Sequence, residues 1–148
     1  ARGAAALPFR KRAHQGGAVA GAAWLEAQPG VTRVIYPGLA SHPQHDLAAR
    51  QMDNFSGMLS FQVGDAARGE EVAQAMIERL ETIHYAVSLG HHRSLVFWMG
   101  TQGLMDTSFR LTGAALESYR DFAGDGVFRM SVGLEDPEDL IADLAGVL

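Results

Sequence analysis

Apolar residues recur along the chain at two periods, and the switches between them delimit the elements. From Leu7 to Gln28 the sequence is alanine-rich, with Val19, Ala20, Ala23 and Trp24 at helical spacing. It stops at Pro29-Gly30, as a helix does, although Gly16, Gly17 and Gly21 weaken it. Val31 to Tyr36 is β-branched and aromatic and reads as a short strand, followed by a loop punctuated by Pro37-Gly38 and His42-Pro43. Gln44 to Met52 carries a short helical pattern. In Met58 to Val63, Leu59, Phe61 and Val63 alternate with Ser60 and Gln62, the pattern of a half-buried strand. Between Glu70 and Leu80, Val72, Met76 and Leu80 form a stripe with Ala73 and Ile77 beside it, while Glu70 and Glu71 suit a first helical turn.

The second half repeats these signals. Ile83 to Val87 and Ser94 to Trp98 read as strands separated by the turn Ser88-Leu89-Gly90. Gly113 to Ala123 reads as a helix, and Val127 to Val132 alternates as a strand. Asp136 can cap a last helix whose first turn takes Pro137 and whose apolar face is Leu140, Ile141, Leu144 and Leu148. Strands and helices without a sustained parallel βαβ rhythm predict an α+β fold, a mostly antiparallel sheet with helices packed on one face.

The 148 residues fit one domain, and 47% apolar with 20% charged content is a globular composition. A net charge of -5, mixed along the chain, offers no basic stripe for nucleic acid. Without cysteine there is no disulfide or thiolate chemistry, which fits a reducing, cytoplasmic setting. No apolar run approaches the roughly 20 residues of a membrane helix. The opening stretch begins with alanine and runs into helical sequence without a cap, which suggests a piece of a longer chain.

Arg129 stands out among candidate site residues. Phe128, Met130 and Val132 share one face of its strand, so Arg129 and Ser131 project from the other. A guanidinium fork suits a carboxylate, though an ordinary surface ion pair is the alternative from the residues alone. Ser88 stands at a strand-to-turn junction, where a hydroxyl is also a common turn former. His42 and His45 lack a third ligand at a recognisable spacing, so no metal is expected. His91 and His92 could bind an anion or move a proton, but adjacent residues point apart on a strand, which favours plain loop positions. Glu135, Asp136, Glu138 and Asp139 cluster at a helix start, where acids meet the dipole favourably.

Four segments in order carry a resemblance: VIYPGLASHPQHDLAARQM (34–52), GMLSF (57–61), AVSLG (86–90) with Ser94-Leu95 following, and FRMSVGLEDPEDLIADL (128–144). Together they resemble the C-terminal third of the pyridoxal phosphate (PLP) enzymes of cysteine and methionine metabolism, the cystathionine gamma-synthase, cystathionine gamma-lyase and methionine gamma-lyase group. The resemblance implies that residues 1–30 are a helix leading into a C-terminal substrate-side domain, 31–148. The domain whose lysine binds PLP covalently would then lie outside this chain. The chain's single lysine, Lys11, does not stand in the family's Ser-x-Thr-Lys context.

By the same resemblance, Arg129 and the Ser88 loop hold the α-carboxylate of a small amino-acid substrate, with Val87 and Leu89 beside it. Val87 occupies a position that is acidic in relatives handling cystathionine and apolar in those handling methionine-like side chains, so a smaller or apolar substrate is implied. The implied parent is a homotetrameric lyase or transferase acting at the γ-carbon, and this chain alone would be inactive. Two departures bear on the pocket. His91-His92-Arg93 replaces the usual Gly-Gly-x-Glu, and Phe97-Trp98-Met99-Gly100-Thr101 replaces the His-Pro-x-x-Met-Thr-His stretch. The rival reading is a stand-alone, non-catalytic α+β module that binds amino acids or a partner protein.

Overall fold

The computed structural model describes residues 2–148, with side chains from residue 3. Its elements are α1 (Arg2–Ala5), α2 (Leu7–Glu26), β1 (Arg33–Ile35), α3 (His45–Gln51), β2 (Met58–Gln62) and α4 (Ala66–Arg79). They continue with β3 (His84–Tyr85), β4 (Leu95–Gly100), α5 (Thr101–Met105), α6 (Ala114–Ala123), β5 (Gly126–Ser131) and α7 (Pro137–Ala145). The strands form one five-stranded sheet in the order β1-β2-β5-β4-β3. Three of its four pairings are antiparallel, and only β3 lies parallel, against β4.

Register divides the sheet into two chemically different faces. Leu59 opposes Met130, which opposes Val96; Phe61 opposes Phe128, which opposes Trp98. These side chains meet Ala18, Ala22 and Leu25 of α2, Val72, Ala73 and Met76 of α4, and Leu140 and Leu144 of α7 in one core. Each large apolar side chain buried there contributes roughly 1.5–3 kcal/mol. One residue along each strand the sign reverses, so Ser60, Arg129 and Phe97 lie side by side across the opposite face.

Helix ends follow local chemistry. Asp136 accepts the Glu138 N–H, with Pro137 opening α7, and Asp65 accepts the Arg68 N–H at the start of α4. Because Asp65 starts α4 at Ala66, Glu70 and Glu71 fall beyond its first turn rather than in it. Ile77, predicted beside the buried stripe of α4, is 56% exposed; the burial phase runs instead through Gly69, Val72, Ala73, Ala75 and Met76. The expected Ile83–Val87 strand contracts to two residues, because only His84 and Tyr85 find ladder partners on β4. β4 runs on to Gly100 and passes directly into α5, a helix the residue pattern did not predict. No helix among the described residues is long and apolar enough to cross a membrane.

Candidate functional site

Strand alternation puts Arg129 on the sheet face away from the core, on the strand flanked by β2 and β4. Its guanidinium carbon stands 4.4 Å from the centre of the Phe97 ring, and its Nη2 donates to the Ser88 carbonyl at 3.1 Å. The ring and that carbonyl both contact the guanidinium fork. Its Nε is buried and has no hydrogen-bond partner among the described residues. No acid answers it either, since the one salt bridge found there joins Arg68 to Glu71. The surface ion pair that the residues alone allowed is therefore not formed among the described residues.

The loop above Arg129 is held by polar contacts. Gly90, at φ +70°, donates its N–H to Ser131 Oγ at 2.9 Å, and its carbonyl accepts from Arg10 Nη2 at 2.9 Å. Ser88 engages Arg129 through its carbonyl, not its hydroxyl. Val87 and Leu89 project outward, 75% and 61% exposed. All four sequence-derived site residues thus gather in one place: Arg129 beneath, and Val87, Ser88 and Leu89 along the loop it contacts.

Behind the loop is a buried hydrogen-bonded chain that sequence reasoning missed. Ser94, fully buried, donates from its N–H (2.7 Å) and its Oγ (2.8 Å) to the two carboxylate oxygens of Glu135. The same Oγ accepts the Gly133 N–H at 2.8 Å. Glu135 therefore ties the start of β4 to the segment after β5, a tertiary role in place of the helix-dipole role its neighbours suggested. The signal available was a Ser-Leu and a Gly-Leu-Glu at fixed places within recurring segments, with nothing to say that they meet.

The histidines separate by environment. His91 and His92 are exposed, their rings 4.1 Å apart, and His91 Nδ1 accepts the Arg93 N–H. His42 Nδ1 accepts the Gln44 N–H, and His45 Nδ1 donates to the Pro37 carbonyl. Burial, and secondarily the charges of Arg33 and His45, hold His42 below the usual histidine range. His14, buried, bonds the Val132 carbonyl at 2.6 Å and fastens α2 to the end of β5. No group of three or more potential metal ligands gathers among the described residues. Lys11 is exposed on α2.

The α+β fold thus presents a partly buried arginine beneath a loop anchored by polar contacts. The model of the Cys/Met metabolism PLP-dependent enzyme family matches residues 1–148. The chain belongs to that family, whose members are PLP-dependent. It is 37% identical over 146 residues to an O-succinylhomoserine sulfhydrylase of Pseudomonas aeruginosa, covering 97% of this chain and 34% of that protein. It is 38% identical over 147 residues to a cystathionine gamma-synthase of Mycobacterium leprae, covering 99% of this chain and 35% of that one. Among solved structures, cystathionine gamma synthase from Xanthomonas oryzae pv. oryzae in complex with cystathionine aligns with a TM-score of 0.78 at 35% identity. That alignment covers 99% of this chain and 36% of the solved one. The chain thus spans about a third of the length of the relatives it matches.

Proposed function

We propose that this chain is the C-terminal, substrate-side domain of a PLP-dependent trans-sulfuration enzyme. Residues 1–30 lead in, and 31–148 form the domain. The reaction is elimination or replacement of a sulfur or acyloxy group at the γ-carbon of an amino acid. PLP, when bound by the rest of the enzyme, supplies the electron sink for that chemistry. The part of this chain is capture and orientation. Arg129 receives the substrate α-carboxylate through charge-assisted hydrogen bonds, and the Ser88 loop sets the plane of the fork.

The observation that carries this reading is a partly buried guanidinium without an acidic partner, fixed by Phe97 and the Ser88 carbonyl. Burying a charge without a counter-charge is unfavourable, so such a site favours an anionic ligand. Val87 and Leu89 line the approach with apolar surface, which suits a small or apolar side chain over one bearing a second charged end. The partners this reading requires are an amino acid, a lysine-bearing PLP domain and further copies of the enzyme in a homotetramer.

The test is Arg129→Ala and Arg129→Lys in the full-length enzyme. Loss of two charge-assisted bonds, each about 1.5–3 kcal/mol, should lower kcat/KM about a hundredfold or more in the alanine variant. Lysine, which cannot present a bidentate fork, should restore only part. Cofactor absorbance should be unchanged. Catalytic efficiency within twofold of wild type would overturn the assignment. A natural protein whose mass after borohydride reduction shows no PLP fixed to a lysine would favour the non-catalytic module.

A further inference from the structure

We infer that Arg10 is a positioning residue for this clamp, an inference that rests on the carboxylate-binding reading of Arg129. The loop Ser88-Leu89-Gly90 makes three hydrogen bonds to the rest of the described chain, and a side chain supplies each: Arg129 to the Ser88 carbonyl, Ser131 to the Gly90 N–H, and Arg10 to the Gly90 carbonyl. Leu89 points outward, so apolar packing does little to hold the turn. Arg10 grips it from α2, 80 residues away in sequence.

The placement of Arg10 runs against local preference. It stands on the fourth residue of α2, and no acidic residue lies in that turn to pair with it. Its Nε is buried and unpartnered, as is that of Arg129; these are the two such side-chain atoms among the described residues. A local rule broken without a local gain points to a role elsewhere. Here that role is mechanical. Arg10 and Ser131 hold the two polar groups of Gly90, which fixes where Ser88 stands, and the Ser88 carbonyl fixes the fork of Arg129. Arg10 does not itself touch the substrate in this scheme.

The experiment compares Arg10→Ala, Arg10→Gln and Arg10→Lys with Arg129→Ala in the full-length enzyme. The readouts are kcat, KM, the inhibition constant of L-alanine and hydrogen exchange at the Gly90 amide. L-alanine is the probe because it carries the amino and carboxylate groups without a leaving group. Because Arg10 acts on the substrate only through Gly90 and Ser88, part of its bond should reach binding, raising KM and the L-alanine inhibition constant about fivefold to twentyfold in Arg10→Ala, with kcat within about twofold. Lysine should recover part of this and glutamine less, and Gly90 exchange should quicken in the same order. Unchanged KM and inhibition constant in the Arg10 variants, while Arg129→Ala raises both, would overturn the positioning role; so would a fall in melting temperature alone. If Arg129→Ala leaves both constants unchanged, the clamp reading itself has failed, a result separable from the first. Should the alanine variant not fold, the lysine and glutamine variants decide.

Discussion

Glu135→Ala removes both acceptors of Ser94 in one step. The Ser94 N–H and Oγ–H, at 0% exposure, have no other partner among the described residues, and Gly133 still donates to the Oγ. Leaving a buried donor unsatisfied costs about 1–3 kcal/mol, so two of them should cost about 3–4 kcal/mol. That is a large part of the roughly 5–15 kcal/mol that holds a domain folded. Glu135→Gln is the informative control. Its amide oxygen can still accept the Ser94 N–H, while its NH2 faces the hydroxyl and leaves one proton unpaired, for a loss of about 1 kcal/mol. Urea unfolding followed by the fluorescence of Trp24 and Trp98 measures both, and the slope should not change, because the surface exposed on unfolding is the same. A loss below about 1 kcal/mol for the alanine variant would refute the reasoning. Equal losses for alanine and glutamine would refute it too.

Two further perturbations test other parts of the fold. Gly69→Ala should destabilise by about 1–2 kcal/mol, although helix propensity alone would favour alanine by about 1 kcal/mol. The added Cβ would overlap Trp98 Cζ2 and Cη2 and stand 2.7 Å from Cε2. Gly126 also packs close to the indole, where a Cβ would lie 2.5 Å from Cζ2, so the ring has little room to shift; a higher melting temperature for the variant would sink this account. Tyr36, fully buried and donating to the Ser56 carbonyl, has its phenol pushed by burial from 10.0 up to about 12. The unfolded phenol ionises first, so the stability tied to the neutral form is intact below pH 10 and drains away between pH 10 and 12, about 2–3 kcal/mol in all. Tyr36→Phe should lack that part of the alkaline decline, which equilibrium unfolding across this range would reveal.

What the sequence disclosed was what period and local chemistry control. Alternation in β5 correctly turned Arg129 away from the core, and Asp136 with Pro137 marked the start of α7 to the residue. What it did not disclose depends on contacts between distant segments. The parallel pairing of β3 with β4 follows from a short loop folding over the sheet, and Ile83 to Val87 looked longer because apolar residues outlast the ladder. Helix α5 is only five residues, too short to show a period, and its anchor is the Thr101 Oγ1 bond to the Gly124 carbonyl. Likewise nothing near Arg10 in sequence names Gly90 as its partner. The four candidate site residues were picked out chiefly through their resemblance to family segments, whereas the carbonyl of Ser88 as the contact for Arg129 was not legible.

The position of β5 has a consequence for how the molecule is assembled. Of the five strands of this sheet it is the last to leave the ribosome, yet it lies between β2 and β4, so before it emerges those two strands present bare hydrogen-bonding edges to whatever is near. Growing chains acquire structure from the amino terminus, and here the sheet cannot close from that end alone. The strand that completes the sheet is the one that brings Arg129, so an unfinished chain has neither a completed sheet nor the residue proposed to hold a carboxylate. Translation that stalls before Gly126 should therefore yield a sticky intermediate, one that chaperones or proteases recognise.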